Sequence, residues 1–212
     1  RDGRIEAVGS TAAPADAQRI DGRGKYAIPG LWDMHAHALQ GSHWTFPLLV
    51  ANGVTGIRRP GSRLPVEATR QLRREREEGM HAGRRVGAAT ARVLNGPGGR
   101  GEYPFIDVET PEEGRGLVKE YKQQGVDFIK PYNLLSRDVY LAIVDEAKQQ
   151  RMPFAGHVPV WMSAAEVSDL GQASIEHLTD IFVSCSRDED ALRRGRQELA
   201  KKLPAGPWPQ VE

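Results

Sequence analysis

From Leu31 onward the chain alternates short apolar runs with longer amphipathic stretches, the signature of strands alternating with helices. The apolar runs predict strands at 31–37, 54–58, 86–91, 127–131, 153–158 and 173–177. Between them, 66–78 is strongly charged, as a solvated outer helix is. The stretch 111–124 carries Thr110 as N-cap, Pro111 at the first helical position and Glu113 three residues after the cap, a capping box. The stretch 136–150 opens on Ser136 and places Val139, Ile143, Val144 and Ala147 on one face. Helices at 163–170 and 187–203 complete the set. Before Leu31 the pattern differs. Asp2-Gly3 predicts a hairpin turn, Arg4-Ile5-Glu6-Ala7-Val8 alternates as a half-buried strand does, and 18–22 and 25–28 extend this to a small β-layer that ends at Pro29-Gly30.

Strand, helix, strand repeated about six times implies a parallel sheet with helices outside it. Two closures fit, an open doubly wound sheet or a (β/α)8 barrel. No Gly-x-Gly-x-x-Gly follows the first strand, which counts against a dinucleotide site. The glycine-rich run Asn95-Gly-Pro-Gly-Gly-Arg-Gly101 follows the third strand and reads as a long loop.

The 212 residues suffice for one large domain. With 29 basic against 28 acidic side chains, the charge offers no footprint for nucleic acid or an anionic membrane. No apolar run reaches membrane-spanning length. The single cysteine, Cys185, excludes an internal disulfide and cannot build a thiolate metal site alone. The chain begins Arg1-Asp2-Gly3 without a methionine and its last ten residues complete no element, so the expectation is an internal piece of a longer protein, its compartment and oligomeric state open.

The histidines change the picture. His35 and His37 lie two apart near the end of the first core strand, where residues i and i+2 share a face roughly 6–7 Å apart. His157 ends the fifth candidate strand and His177 the sixth. In a barrel these strand ends share one rim, so four of the six histidines meet there. Each alone is unremarkable as a strand-end histidine; their joint placement points to shared metal ligation. His43 and His81 fall in helix or loop positions and take the ordinary reading. Lys130 ends the fourth strand after an apolar pair. A strand-end lysine is usually solvated. Aimed into a rim holding cations, its ammonium is disfavoured, and a neutral amine can add carbon dioxide to become a carbamate able to bridge two metals.

The run Ile28-Pro29-Gly30-Leu31-Trp32-Asp33-Met34-His35-Ala36-His37 resembles the amidohydrolase superfamily signature Pro-Gly-x-x-Asp-x-His-x-His. Asn52-Gly-Val-Thr-Gly-Ile-Arg58, Gly125-Val-Asp-Phe-Ile-Lys130, Ala155-Gly-His157 and Ser174-Ile-Glu-His177 follow in matching order. Within the superfamily the sequence is similar to the imidazolonepropionase-like and metal-dependent Xaa-Pro dipeptidase (prolidase-like) group. The resemblance implies a (β/α)8 TIM-type barrel at 29–212, truncated after about six β/α units, preceded at 1–28 by part of a small N-terminal β-sandwich. It implies two divalent ions, zinc first, with manganese, iron or cobalt also suited. His35 and His37 would hold the buried ion, His157 and His177 the exposed one, and carboxylated Lys130 would bridge them. Asp33 would orient the surrounding strand rather than ligate, and Tyr132 is a weaker candidate for substrate contact.

The implied activity is hydrolysis of a C–N bond in a small amide or short peptide by a metal-bound hydroxide. The family's catalytic aspartate, at the end of strand eight, lies beyond this chain, so the piece by itself is expected to be inactive. Asp180 stands in the wrong unit and reads as structural. Two further departures are Arg58-Arg59-Pro60-Gly61, where relatives carry Arg-Asp-Met-Gly, and Pro131 directly after the bridging lysine. The alternatives are phosphotriester, lactone or carbamate hydrolysis at the same pair of ions, and a non-catalytic metal-binding domain. Deamination fits less well, because that branch usually lacks the strand-four lysine.

Overall fold

A computed structural model describes residues 4–10, 12–37, 45–61, 64–78, 85–97 and 105–202. It is a mixed α/β structure. Strands β1 (Leu31–Asp33), β2 (Val54–Arg59) and β3 (Arg85–Ala89) pair in parallel in that order. The series then continues through the segments expected as strands four to six. The Asp127 amide donates to the Ala89 carbonyl, Ile129 bridges Phe154 and Gly156 bridges Ile175, both in parallel. These contacts are single bridges rather than continuous ladders. Pro131 and Pro153 carry no N–H, so each removes a ladder donor where the pairing would extend. Gly156 keeps the bridges close: a Cβ there would stand 2.3 Å from the Pro131 carbonyl oxygen.

Three local expectations are corrected. The first strand stops at Asp33 instead of running to His37, because the Asp33 carboxylate accepts the His35 amide at 2.9 Å and bends the chain. An unforeseen parallel pair, β4 (Val93–Asn95) and β5 (Phe105–Asp107), follows β3. The described residues before Leu31 form no strand. Ile5, Ile20 and Tyr26 are exposed, and alternation without a partner strand does not make a β-layer. Asp2-Gly3, His43, His81, residues 98–104 and the tail from 203 lie outside the described residues.

Helices α1 (Thr45–Ala51), α2 (Val66–Glu77), α3 (Pro111–Gln123), α4 (Arg137–Gln149), α5 (Ala164–Asp169), α6 (Thr179–Ser184) and α7 (Glu189–Lys201) alternate with the strand segments. α1 and α6 were not foreseen. The capping box of α3 forms as read, with Thr110 and Glu113 satisfying each other's backbone N–H groups, and Ser136 and Ser163 cap α4 and α5. At Gly114 of α3 an added Cβ would come 2.9 Å from Ile143 Cγ1, so this glycine sets how closely α3 and α4 pack. The main core lies between these helices and the strand series and includes Leu94, Val118, Ile129, Leu135, Ile143 and Val167, all essentially inaccessible. A smaller cluster of Ala36, Ile57 and Ala89 packs against Phe46, Leu49, Leu64 and Leu72. Among the described residues no helix is long and apolar enough to cross a membrane.

Candidate metal centre

The four histidines expected at strand ends form one continuous series of ring contacts. His37 meets His35 edge-on with centroids 5.2 Å apart, His35 lies 4.3 Å from His177, and His177 lies 5.0 Å from His157. Tyr132 stacks on His157 at 4.0 Å and meets Phe105 at 4.9 Å. The turn after β1 aims His35 and His37, while Gly61 after β2 has φ +126°, and a Cβ added there would stand 2.9 Å from Val93 Cγ2 and 3.6 Å from His37 Cε1. The His157 amide donates to the Pro131 carbonyl at 3.1 Å, so the short bridge carrying Lys130 also sets the position of His157.

His177 needs more than strand geometry. Alternation puts Glu176 and His177 on opposite faces. The backbone is left-handed at His177 (φ +62°) and Leu178 (φ +57°), a conformation that non-glycine residues adopt only under local constraint. This twist lets both side chains reach His35: Glu176 through a 2.5 Å contact to Nδ1, His177 through its ring.

Lys130 is buried, with 2% of its surface exposed. Burial, and secondarily the Arg58 charge, lower its pKa to about 8 against the opposing pull of Glu176. Lys130 in turn is one of the charges that hold the pKa of His37, His157 and His177 down, after burial in each case; His157 falls to about 3. These three imidazoles are therefore neutral near pH 7, the state in which a ring nitrogen offers a lone pair. Among the described residues no three His, Cys, Asp or Glu side chains form a group able to hold a metal ion by themselves. His37, His157 and His177 stand instead within reach of the charge of one buried amine.

Three polar partners hold roles that sequence reasoning did not assign them. Glu176 contacts His35 and accepts from Arg58 and Ser174. Its pKa drops to about 2: burial acts to raise it, and the His35 and Ser174 hydrogen bonds with the Arg58 charge outweigh that. Arg58 lies in the stretch that departs from the family pattern, yet its guanidinium reaches across to residues 174–176. The third is Asn133, whose Oδ1 lies 2.7 Å from His157 Nδ1. Asp33 holds the His35 backbone, and Asp180 is buried against Arg193 and Arg196 of α7, in keeping with a structural reading.

No model of a known protein family matches the chain. A deacetylase of Agrobacterium fabrum is 54% identical over 41 residues, 19% of this chain and 10% of the relative. The structure of a candidate prolidase from Bifidobacterium longum superposes over 70% of this chain at 30% identity with a TM-score of 0.58. Bottromycin amidohydrolase superposes over 81% at 26% identity with a TM-score of 0.60. The solved structures that the chain resembles are members of the amidohydrolase superfamily. The prolidase neighbour agrees with the group that the sequence motifs resemble. The chain spans 39% of the candidate prolidase and 37% of bottromycin amidohydrolase, so it corresponds to well under half of either protein.

Proposed function

We propose that this chain is the metal-binding part of a hydrolase that cleaves a C–N bond in a small amide or short peptide. The observation that carries the reading is the series of four imidazoles in ring contact, three of which feel the charge of the buried Lys130. Support also comes from the neighbours, one named a prolidase and another an amidohydrolase. On this reading the parallel strand series belongs to a (β/α)8 barrel, whose active-site rim is formed by the strand ends that carry these residues.

The donor set fits two divalent ions, zinc first. His35 and His37 would serve one, His157 and His177 the other, with Lys130 shared. A buried ammonium amid neutral imidazoles is a poor structural choice, whereas the neutral amine is a nucleophile. Its Nζ lone pair forms an N–C bond to carbon dioxide and one proton leaves to solvent, giving an anionic carbamate with two donor oxygens. A pKa near 8, well below the usual lysine value, raises the share of neutral amine at physiological pH. Ions held there supply Lewis acidity toward a carbonyl and toward water. Tyr132, stacked on His157, borders the place where a substrate would lie.

Elemental analysis of the protein, purified at its full natural length with and without bicarbonate, tests the reading. About two ions per chain are expected on this logic, and Lys130→Ala lowers that number. One ion per chain, unchanged by Lys130→Ala, refutes the bridging role. A panel of dipeptides, N-acyl amino acids and esters tests the C–N bond: turnover confined to esters overturns it.

A further inference from the structure

We propose that Glu176, held by Arg58, is a positioning residue that sets the tautomer and orientation of His35. The inference rests on the metal reading above for its purpose, but its geometry stands alone. Both carboxylate oxygens of Glu176 are committed. Oε1 accepts from Arg58 and from the Ser174 hydroxyl (2.7 Å), leaving Oε2 to His35 Nδ1 at 2.5 Å. A carboxylate only accepts, so the shared proton belongs to His35 Nδ1, and the lone pair of a neutral ring is then on Nε2. One nitrogen is thereby designated as the donor to an ion, the service that a carboxylate behind a ligating histidine provides.

Arg58 keeps the carboxylate from turning. Besides Glu176, its guanidinium donates to the Ser174 hydroxyl (2.9 Å) and the Met34 carbonyl (2.7 Å), and it lies 5.6 Å from the Phe128 ring centroid. The pair thus ties the segment bearing His35 to the segment bearing His177, through links from Glu176 that span 141 residues to His35 and 118 to Arg58. Glu176 is 5% exposed. A purely structural ion pair would be complete with Arg58 and Ser174 and has no need of an imidazole. His157 offers the contrast. Its Nδ1 faces the amide of Asn133, and an amide that turns over presents N–H instead of oxygen, so this neighbour does not dictate a tautomer.

The test uses the full-length protein with 15N-labelled histidine, metal-free, with the His35 signal assigned by its loss in His35→Ala. Two-bond proton–nitrogen correlations report which nitrogen is protonated. The wild type is expected to show His35 protonated on Nδ1, and Glu176→Gln to populate both tautomers. Zn²⁺ affinity is expected to fall about 10–100-fold in Glu176→Gln. Arg58→Lys keeps the charge but not the fork and is expected to move both readouts the same way by less. Should Glu176→Gln fail to fold, Arg58→Lys carries the comparison. An unchanged tautomer ratio, or an unchanged Zn²⁺ affinity, overturns the proposal. A wild-type protein that binds no Zn²⁺ overturns the metal reading instead, and the tautomer comparison then decides the positioning role by itself.

Discussion

The residues around the candidate metal centre come from two regions that are held together in different ways. Lys130 and His157 stand on segments backed by the main core, between α3, α4 and α5. His35 and His37 follow β1, whose Leu31 and Trp32 are about half exposed and whose nearby core is the cluster of Ala36, Ile57 and Ala89. Apolar burial orients the first pair almost without help. On the second side a hydrogen-bonded clamp does that work: Asp33 on the His35 backbone, Glu176 on its ring, Arg58 across both segments. Hydrogen bonds to charged groups are worth roughly 1.5–3 kcal/mol each, enough to substitute for a buried apolar side chain. Where packing is sparse, polar geometry carries the precision.

That contrast can be broken most directly in the two cores. Ile143 and Ile57 are both fully buried. Ile143→Ala is expected to cost toward the upper end of about 2–5 kcal/mol, and Ile57→Ala toward the lower end, because a thin cluster collapses more easily around a lost side chain. Urea unfolding checks both; equal costs would erase the distinction.

Acid should act next, and chiefly through the deeply packed side. The folded pKa of His157 is about 3 against 6.5, so between those values the unfolded chain binds a proton that the folded one refuses. Stability then falls as pH drops through that window. Glu176, at about 2 against 4.5, adds a loss of the same sign below 4.5. Unfolding of chelator-treated protein across this range measures it, and a flat profile contradicts it.

Lys130→Met sharpens the argument about purpose. The buried amine, lowered from 10.5 to about 8, opposes folding below that range. Replacing it by an apolar side chain of similar length is expected to stabilise the metal-free protein by about 1–3 kcal/mol at neutral pH while, on the proposed reading, abolishing shared ligation. A destabilised Lys130→Met would mean that the lysine serves the fold. The smallest effect belongs to the exposed segment before β1: Ile20, 87% exposed, is expected to change stability by less than about 0.5 kcal/mol on substitution by Ala, and a larger loss would reveal packing on that side.

Much of this was legible in the chain before any coordinates. Periodicity located α2, α3, α4, α5 and α7 to within about two residues, because caps such as Thr110 and Ser136 are local chemistry. That His35, His37, His157 and His177 come together was legible because each was expected near the end of a segment in one parallel series. The lengths of the strand segments were not, since Pro131, Pro153 and the Asp33 turn act on hydrogen bonds whose partners lie elsewhere. The alternation before Leu31 predicted strands, but a strand exists only with a neighbour to pair.

What the sequence by itself determined is therefore the order of the five longer-read helices and the strand segments between them, and the histidines that meet beside those segments. Only the tertiary structure decided which carboxylate stands behind which histidine. Glu176 and His35 are 141 residues apart, and Arg58 joins Ser174 across 116. The left-handed turn at His177 brings a side chain to the face that strand alternation denies it. Local propensity acts over a few residues; hydrogen-bond partners across the sheet are chosen by packing, and that choice is made only when the chain is folded.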